Sequence, residues 1–170
     1  MALGKHDVRV RLLAEKIARA LGRTAVAPVV AYVPESAGHL RFPGTITVPA
    51  DAFRSELASA ATSLQHAGFR DVVLIGDHGG YQASLERVAE RLNREWAGSP
   101  VRVHAVLEYY QASDREYARM LERDGYKAGE IGTHAGLADT ALTLAVDPRL
   151  VRTERLRSGG PVEGTHGDPR

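Results

Sequence analysis

Three short segments of the chain combine a carboxylate with a histidine beside glycine. They are Gly-Lys-His-Asp at 4–7, Gly-Asp-His-Gly-Gly at 76–80 and His-Ala-Gly-Leu-Ala-Asp at 134–139. Neutral imidazole and carboxylate together suit zinc, manganese or iron. A pair of such metals can activate water for hydrolysis. None of the three spacings is a metal signature such as His-Glu-x-x-His, so each segment taken alone also fits a helix cap or a tight turn.

The second segment follows the most apolar stretch of the chain. Residues 72–75 are four consecutive branched apolar residues, which predict a strand buried on both faces. Leu85, Val88 and Leu92 then recur at helical spacing, and this helix is predicted to run to Trp96. The turn at 76–80 should therefore leave the carboxyl end of a buried strand, where open α/β sheets place their ligand sites.

The remaining pattern alternates strands with helices. It predicts further helices at 7–21, 49–67 and 113–123, strands at 26–33 and 101–110, and a loop at 34–46. This order indicates one α/β domain over residues 1–152, with a parallel or mostly parallel sheet and helices on both faces. Residues 153–170 are polar and rich in glycine and proline, and we expect a flexible tail there.

Composition excludes several function classes. The 170 residues include 22 basic and 21 acidic side chains and no long basic stripe, so no nucleic-acid partner is expected. There is no cysteine, which excludes disulfides and thiolate metal sites. No apolar run approaches the roughly 20 residues that span a bilayer, so no membrane is expected. The start lacks the apolar core of a signal peptide, which favours a cytoplasmic location.

Three motifs together resemble the creatininase (creatinine amidohydrolase) family. They are Phe-Pro-Gly-Thr-Ile at 42–46, Leu-Ile-Gly-Asp-His-Gly-Gly at 74–80 and His-Ala-Gly-Leu-Ala-Asp-Thr at 134–140, in the family's order and spacing. The family typically shows Phe-Pro-Gly-Thr-Ile, Asn-Gly-His-Gly-Gly-Asn and His-Ala-Gly-x-x-Glu-Thr-Ser. Residues 145–151 also resemble the segment after its last motif. The resemblance implies a three-layer α/β sandwich, a two-metal amidohydrolase site and a homo-oligomer, frequently a hexamer.

The resemblance also assigns roles to individual residues. His78 matches the metal-binding histidine of the central motif, and Asp139 occupies the position of a glutamate ligand. Asp7 resembles the metal-bridging aspartate that ends the family's first motif. His134 matches a histidine that acts in catalysis. The implied cofactor is a pair of divalent ions, zinc or manganese, or else iron.

The chain departs from the family pattern at several points. Asp77 replaces a glycine and Tyr81 an asparagine, so we expect these two residues and His39 to line the substrate pocket rather than bind metal. The family's first motif begins Glu-x-His-Gly-x-His upstream of Met1, and the family continues beyond Arg170. These comparisons predict a fragment that lacks one strand and two ligands. His6 is a candidate to replace a missing ligand, and its proximity to Asp7 is the one feature of the sequence that supports this.

The leading hypothesis is a metal-dependent amidohydrolase that cleaves a C–N bond of a small cyclic or linear amide. Metal-bound water would attack the carbonyl carbon, and His134 would pass a proton to the leaving nitrogen. The alternative is a catalytically incomplete fragment, or a non-catalytic α/β module of the same family. A nucleotide-binding domain is disfavoured, because residues 76–80 do not match Gly-x-Gly-x-x-Gly.

Overall fold

The computed structural model describes residues 4–41, 44–132 and 136–155. Its helices and strands are α1 (Lys5–Leu21), α2 (Ala50–His66), β1 (Asp71–Ile75), α3 (Gln82–Glu95), β2 (Arg102–Val106), α4 (Glu108–Gln111), α5 (Tyr117–Arg123), α6 (Ala128–Ile131) and α7 (Leu137–Val146). A π-helical turn, Ala112–Glu116, joins α4 to α5. Short 3₁₀ turns lie at His39–Arg41, Gly79–Tyr81, Pro148–Leu150 and Thr153–Arg155.

The two strands form a parallel pair, as the alternation of strands and helices predicts. The register runs from Asp71 opposite Arg102 to Ile75 opposite Val106. A parallel pair needs a crossover connection, and α3 supplies it. The carboxyl ends of β1 and β2 therefore lie at the same edge of the sheet, and the turn at 76–80 leaves from that edge.

The core lies between one face of this sheet and the helices α2 and α3. Val72 and Leu74 point into it from β1, and Val88, the most buried apolar side chain of α3, packs there as well. Burying a side chain of this size contributes about 1.5–3 kcal/mol. The remaining buried members are Phe53, Leu57, Ala58, Ala61, Tyr81, Leu85, Ala89, Leu92 and Val103. The helical spacing of Leu85, Val88 and Leu92 predicted the buried face of α3 correctly.

The prediction that β1 is buried on both faces is wrong. Val73 is 46% exposed on the face opposite the core. The described residues thus cover one face of the two-stranded sheet, and the three-layer sandwich stays a prediction. The bounds of the single domain also stay a prediction. Residues 153–155 form a 3₁₀ turn, and the rest of the predicted tail lies outside the described residues.

The predicted strand at 26–33 is not formed. The segment makes no ladder. Its Val33 carbonyl accepts a hydrogen bond from the Val48 N–H at 3.3 Å. Pro28 interrupts the segment and cannot donate a hydrogen bond to a ladder. The segment instead flanks an apolar groove of about 410 Å³ that is also lined by α1, α2 and β1.

Two boundaries near the second strand also differ from the prediction. β2 ends at Val106 rather than at residue 110, and helical structure begins at Glu108 rather than at Ser113. Ser113 therefore lies inside a helical segment, where its hydroxyl donates to the Tyr110 carbonyl at 3.1 Å. No helix of the described residues has both the length and the apolar character needed to cross a membrane.

Candidate metal centre

The turn after β1 is held by side chains that pack against its glycines. A Cβ on Gly76 would lie 2.3 Å from the Tyr81 ring, so only glycine allows this ring to pack there. The Tyr81 hydroxyl accepts from the Asp77 N–H at 3.0 Å, and Gln82 donates to the carbonyls of Gly76 and His78. Burial raises the pKa of Tyr81 to about 12, so its phenol stays neutral. The turn is therefore fixed by the protein's own residues.

A carboxylate and two imidazoles meet beside this turn. Glu35, His39 and His78 each offer one ligand atom, and these atoms all lie within 4.8 Å of one another. His39 Nδ1 is 2.7 Å from Glu35 Oε2, and His78 Nδ1 is 3.5 Å from Glu35 Oε1. All three side chains are partly buried. We call these three residues the EHH cluster.

Two segments far apart in the sequence supply the EHH cluster. The loop at 34–46 contributes Glu35, whose N–H donates to Thr47 Oγ1 at 2.9 Å, and His39, which begins a 3₁₀ turn. The turn after β1 contributes His78, whose Nδ1 accepts from the Gly80 N–H at 3.2 Å. The carboxyl edge of β1 and the loop therefore face each other, which agrees with the expected position of a ligand site in an α/β sheet.

A second carboxylate, that of Asp77, lies next to the cluster and is completely buried. His6 Nδ1 lies 2.7 Å from Asp77 Oδ2, and Arg9 Nε lies 3.1 Å from the same oxygen. Arg9 Nη2 and the Tyr109 hydroxyl donate to the other oxygen, Oδ1. Burial, and then the hydrogen bond to Asp77, raise the pKa of Tyr109, so this phenol keeps its proton and donates.

The network continues to α7 through Asp139. Arg9 donates to Asp139 Oδ1 at 2.6 Å, and Lys5 pairs with Asp139 Oδ2. Burial, and then the neighbouring Arg9 charge, lower the pKa of Lys5 to about 8, while Asp77 acts in the opposite direction. One turn of α1 thus ties the turn after β1 to α7.

Among the described residues, the three metal ligands that the sequence predicted do not form a group close enough to share one ion. Within residues 4–41, 44–132 and 136–155, the EHH cluster is the only group of three or more acids and histidines close enough to share an ion. Asp7 lines a cavity of about 60 Å³ together with His78 but is not in the group, and Asp139 pairs with Lys5 and Arg9. Metal binding by Asp7 and Asp139 stays a prediction.

The three predicted pocket residues have different surroundings. His39 belongs to the EHH cluster, although the sequence predicted a substrate role. Tyr81 lines the 60 Å³ cavity, but its ring packs in the core against Phe53 at 5.4 Å. The Asp77 carboxylate is fully buried, so it offers no surface to a substrate. His134, the predicted catalytic residue, lies outside the described residues.

Sequence reasoning missed Glu35. It stands four residues before His39, the one residue of this loop that the sequence places near the site, and the fold shows that the loop faces His78. A carboxylate and an imidazole four residues apart, ahead of the Phe-Pro-Gly-Thr-Ile segment, were the available signal. Glu35 was missed because it belongs to none of the three motifs that carry the family resemblance.

Comparison with known proteins identifies the family. The creatininase (creatinine amidohydrolase) family matches residues 2–168 of the chain. The chain belongs to the creatininase family. The resemblance of the three motifs is thereby confirmed.

Two relatives bear on the fold and the function. A 3-dehydro-scyllo-inosose hydrolase from Thermotoga maritima is 25% identical over 152 residues, which are 89% of this chain and 47% of that protein. The solved structure of a mutant creatininase matches with a TM-score of 0.68 at 20% identity, over 94% of this chain and 66% of that one. The described helices and parallel strands therefore share the creatininase fold. The chain spans about half the length of the curated relative that it matches.

Proposed function

We propose that the chain binds a divalent cation at the EHH cluster and contributes this centre to a hydrolase that cleaves a C–N bond of a small molecule. The observation that carries the proposal is the meeting of one carboxylate and two imidazoles within 4.8 Å at the carboxyl edge of β1. Membership of a family of amidohydrolases, and a relative that is also a hydrolase, support the reaction class.

The donor set fits a catalytic metal. Two histidines and one glutamate are a composition found in hydrolytic zinc sites, where a fourth position stays open for water. The same donors accept manganese or iron. In this structure Glu35 contacts His39 directly, and an ion would take the place of that contact. When bound, the ion would lower the pKa of water and polarise a carbonyl.

The neighbouring residues shape the site around this ion. A cavity of about 60 Å³ adjoins Glu35 and His78 and is flanked by His6 and Asp7, which leaves room for water beside the cluster. The Asp77 network keeps the turn that carries His78 in place. The proton transfer to the leaving nitrogen is assigned to His134, as the family motif predicts.

The number of ions is part of the proposal. Among the described residues one group of three ligands is present, and this supports one ion. A second ion requires Asp7 or residues from outside the described part of the chain. Asp139 is the weaker candidate for it, because Lys5 and Arg9 hold both of its carboxylate oxygens. Assembly into a homo-oligomer also stays a prediction from the family resemblance.

The names of the two relatives narrow the substrate class. Creatinine is a small cyclic amide, whereas 3-dehydro-scyllo-inosose is a cyclic polyol ketone without nitrogen. They share a small ring that carries a carbonyl group. We therefore propose a small cyclic amide, cleaved at its C–N bond, as the first candidate. A cyclic polyol ketone is the second candidate, and its hydrolysis would break a C–C bond next to the carbonyl group instead.

Metal binding is tested on the purified chain and on two variants, Glu35→Gln and His78→Gln. The matched control is His66→Gln, because His66 is an exposed histidine on α2. We expect one zinc ion per chain by elemental analysis. The zinc affinity should be at least 100-fold weaker in the two cluster variants and unchanged in His66→Gln. Equal zinc binding by the chain and by Glu35→Gln would overturn the proposed centre.

Turnover is tested with zinc or manganese on creatinine, other small cyclic amides and a cyclic polyol ketone. We expect metal-dependent hydrolysis of at least one compound, and its loss in Glu35→Gln but not in His66→Gln. Tight zinc binding without any turnover would instead favour the alternative, a non-catalytic module of the family.

A further inference from the structure

We propose that His6 accepts a hydrogen bond from a water molecule or small ligand bound at the EHH cluster, and that Asp77 and Arg9 hold its ring in position for this. The inference rests on the proposed function, since it assigns a further residue to the same site.

The first support is the position of the ring. The centroids of the His6 and His78 rings are 5.2 Å apart, closer than the 6.1 Å between His39 and His78. His6 also lines the 60 Å³ cavity with Glu35 and His78, and its side chain is 34% exposed. It is nevertheless not a member of the EHH cluster. Because His6 lines the cavity without having a nitrogen close enough to join the group, it is placed to contact a molecule bound by the cluster rather than the bound ion.

The second support is the tautomer that Asp77 imposes. The Asp77 carboxylate pairs with Arg9, so its oxygens act as acceptors, and the 2.7 Å contact places the proton on His6 Nδ1. In the neutral ring the other nitrogen, Nε2, then carries a lone pair. His6 therefore offers an acceptor to an N–H or O–H group in the cavity.

The third support is the rigidity of the holder. The Asp77 carboxylate is completely buried and contacted by three side chains, those of His6, Arg9 and Tyr109. His6 and Arg9 are three residues apart on α1, so one face of its first turn presents both to Asp77. In metal sites, a carboxylate that accepts from the second ring nitrogen of a histidine fixes the orientation of that ring. The firmly held Asp77 carboxylate orients the His6 ring in the same way. Asp77 is thus a positioning residue, and His6 is the residue that touches the ligand.

The test uses the zinc-loaded chain and acetohydroxamate, a small zinc-binding amide analogue with a free N–H. Titration calorimetry gives its dissociation constant, and competition with a chelator gives the zinc affinity. The variants are His6→Phe, which keeps a ring without the acceptor, and His6→Gln, which restores an acceptor oxygen. His104→Phe is the matched control. His104 also pairs with an aspartate, Asp71, at 2.8 Å, but that pair is exposed and lies at the start of β1.

We expect His6→Phe to weaken acetohydroxamate binding about tenfold, the loss of one hydrogen bond, while zinc affinity changes less than threefold. His6→Gln should fall between the parent chain and His6→Phe, and His104→Phe should match the parent. Unchanged acetohydroxamate binding in His6→Phe would overturn the inference. A 100-fold loss of zinc would also overturn it, because His6 would then be a direct ligand. A parent chain that binds no zinc would refute the proposed function and, with it, this inference.

Discussion

Two carboxylates, those of Asp77 and Glu35, lie near His78, and they have opposite surroundings. The Asp77 carboxylate is completely buried and receives donors from an arginine, an imidazole and a phenol. The Glu35 carboxylate is partly exposed, and its oxygens lie 2.7 Å from His39 Nδ1 and 3.5 Å from His78 Nδ1. The charge of the Asp77 carboxylate is already balanced by Arg9, so a metal cation would gain little by binding it. The Glu35 carboxylate faces two imidazoles and forms a metal donor set with them. Burial and permanent countercharge thus separate the structural acid from the candidate ligand.

The largest effect should come from removing the buried acid. Asp77→Asn leaves the buried Arg9 guanidinium with one carboxylate fewer, and breaking such a pair costs about 3 kcal/mol. The loss of stability should not exceed this value, because the Arg9 guanidinium still forms its ion pair with Asp139. Urea unfolding of the metal-free chain measures it, with Glu35→Gln as the matched variant, for which we expect less than about 1 kcal/mol. Equal losses in the two variants would remove the distinction.

The second effect is a pH dependence from Tyr81, which supports the Asp77 backbone. Its folded pKa of about 12 lies above the ordinary value of 10.0, so the folded chain retains this proton while the unfolded chain loses it. Stability is therefore unaffected below pH 10 and falls between pH 10 and 12, by an amount on the order of 2–3 kcal/mol at most. Tyr81→Phe should remove this part of the fall in the metal-free chain. An identical pH profile in the variant would show that Tyr81 does not contribute.

The third effect is the stabilisation of the chain by zinc bound at Glu35, the partly exposed acid. At a zinc concentration ten times the dissociation constant, binding should stabilise the chain by about 1.4 kcal/mol. Glu35→Gln should lose this increment, while Asp71→Asn should keep it. Thermal unfolding with and without zinc measures both. An undiminished zinc increment in Glu35→Gln would place the ion elsewhere.

The smallest effect belongs to a histidine–aspartate pair that lacks burial. His104 and Asp71 are both exposed on the two strands and 2.8 Å apart. Asp71→Asn should change the free energy of unfolding by less than about 1 kcal/mol, because surface ion pairs contribute little. Urea unfolding beside Asp77→Asn provides the check. A loss as large as that of Asp77→Asn would show that burial does not separate the two aspartates.

The comparison also explains what could be predicted from the sequence. The helices α2 and α3, the strand β1 and the turn that carries His78 follow from local periodicity and from glycine, so they were predicted correctly. The strand predicted at 26–33 was wrong. A strand forms only when it pairs with a neighbouring strand, and the composition of the segment does not show whether it pairs.

The site divides in the same way. Motif resemblance pointed to His78, which lies in the candidate centre, but it assigned His39 to substrate and overlooked Glu35. Asp77 was expected to line the substrate pocket, because it replaces the glycine of the family motif next to His78. Its burial follows from Arg9 and Tyr109, which are 68 and 32 residues away in the sequence. Such long-range pairing determines which acid is free to bind a metal, and no local pattern encodes it.

The central claim is that the partly exposed acid Glu35 binds the metal, and that the buried acid Asp77 does not. Anomalous diffraction at the zinc edge from crystals of the zinc-loaded chain locates the ion directly. The account predicts a peak between Glu35, His39 and His78, within about 2.0–2.2 Å of an oxygen or nitrogen of each. A peak at Asp77 or Asp139, or no peak within reach of Glu35 in crystals that contain stoichiometric zinc, would contradict it.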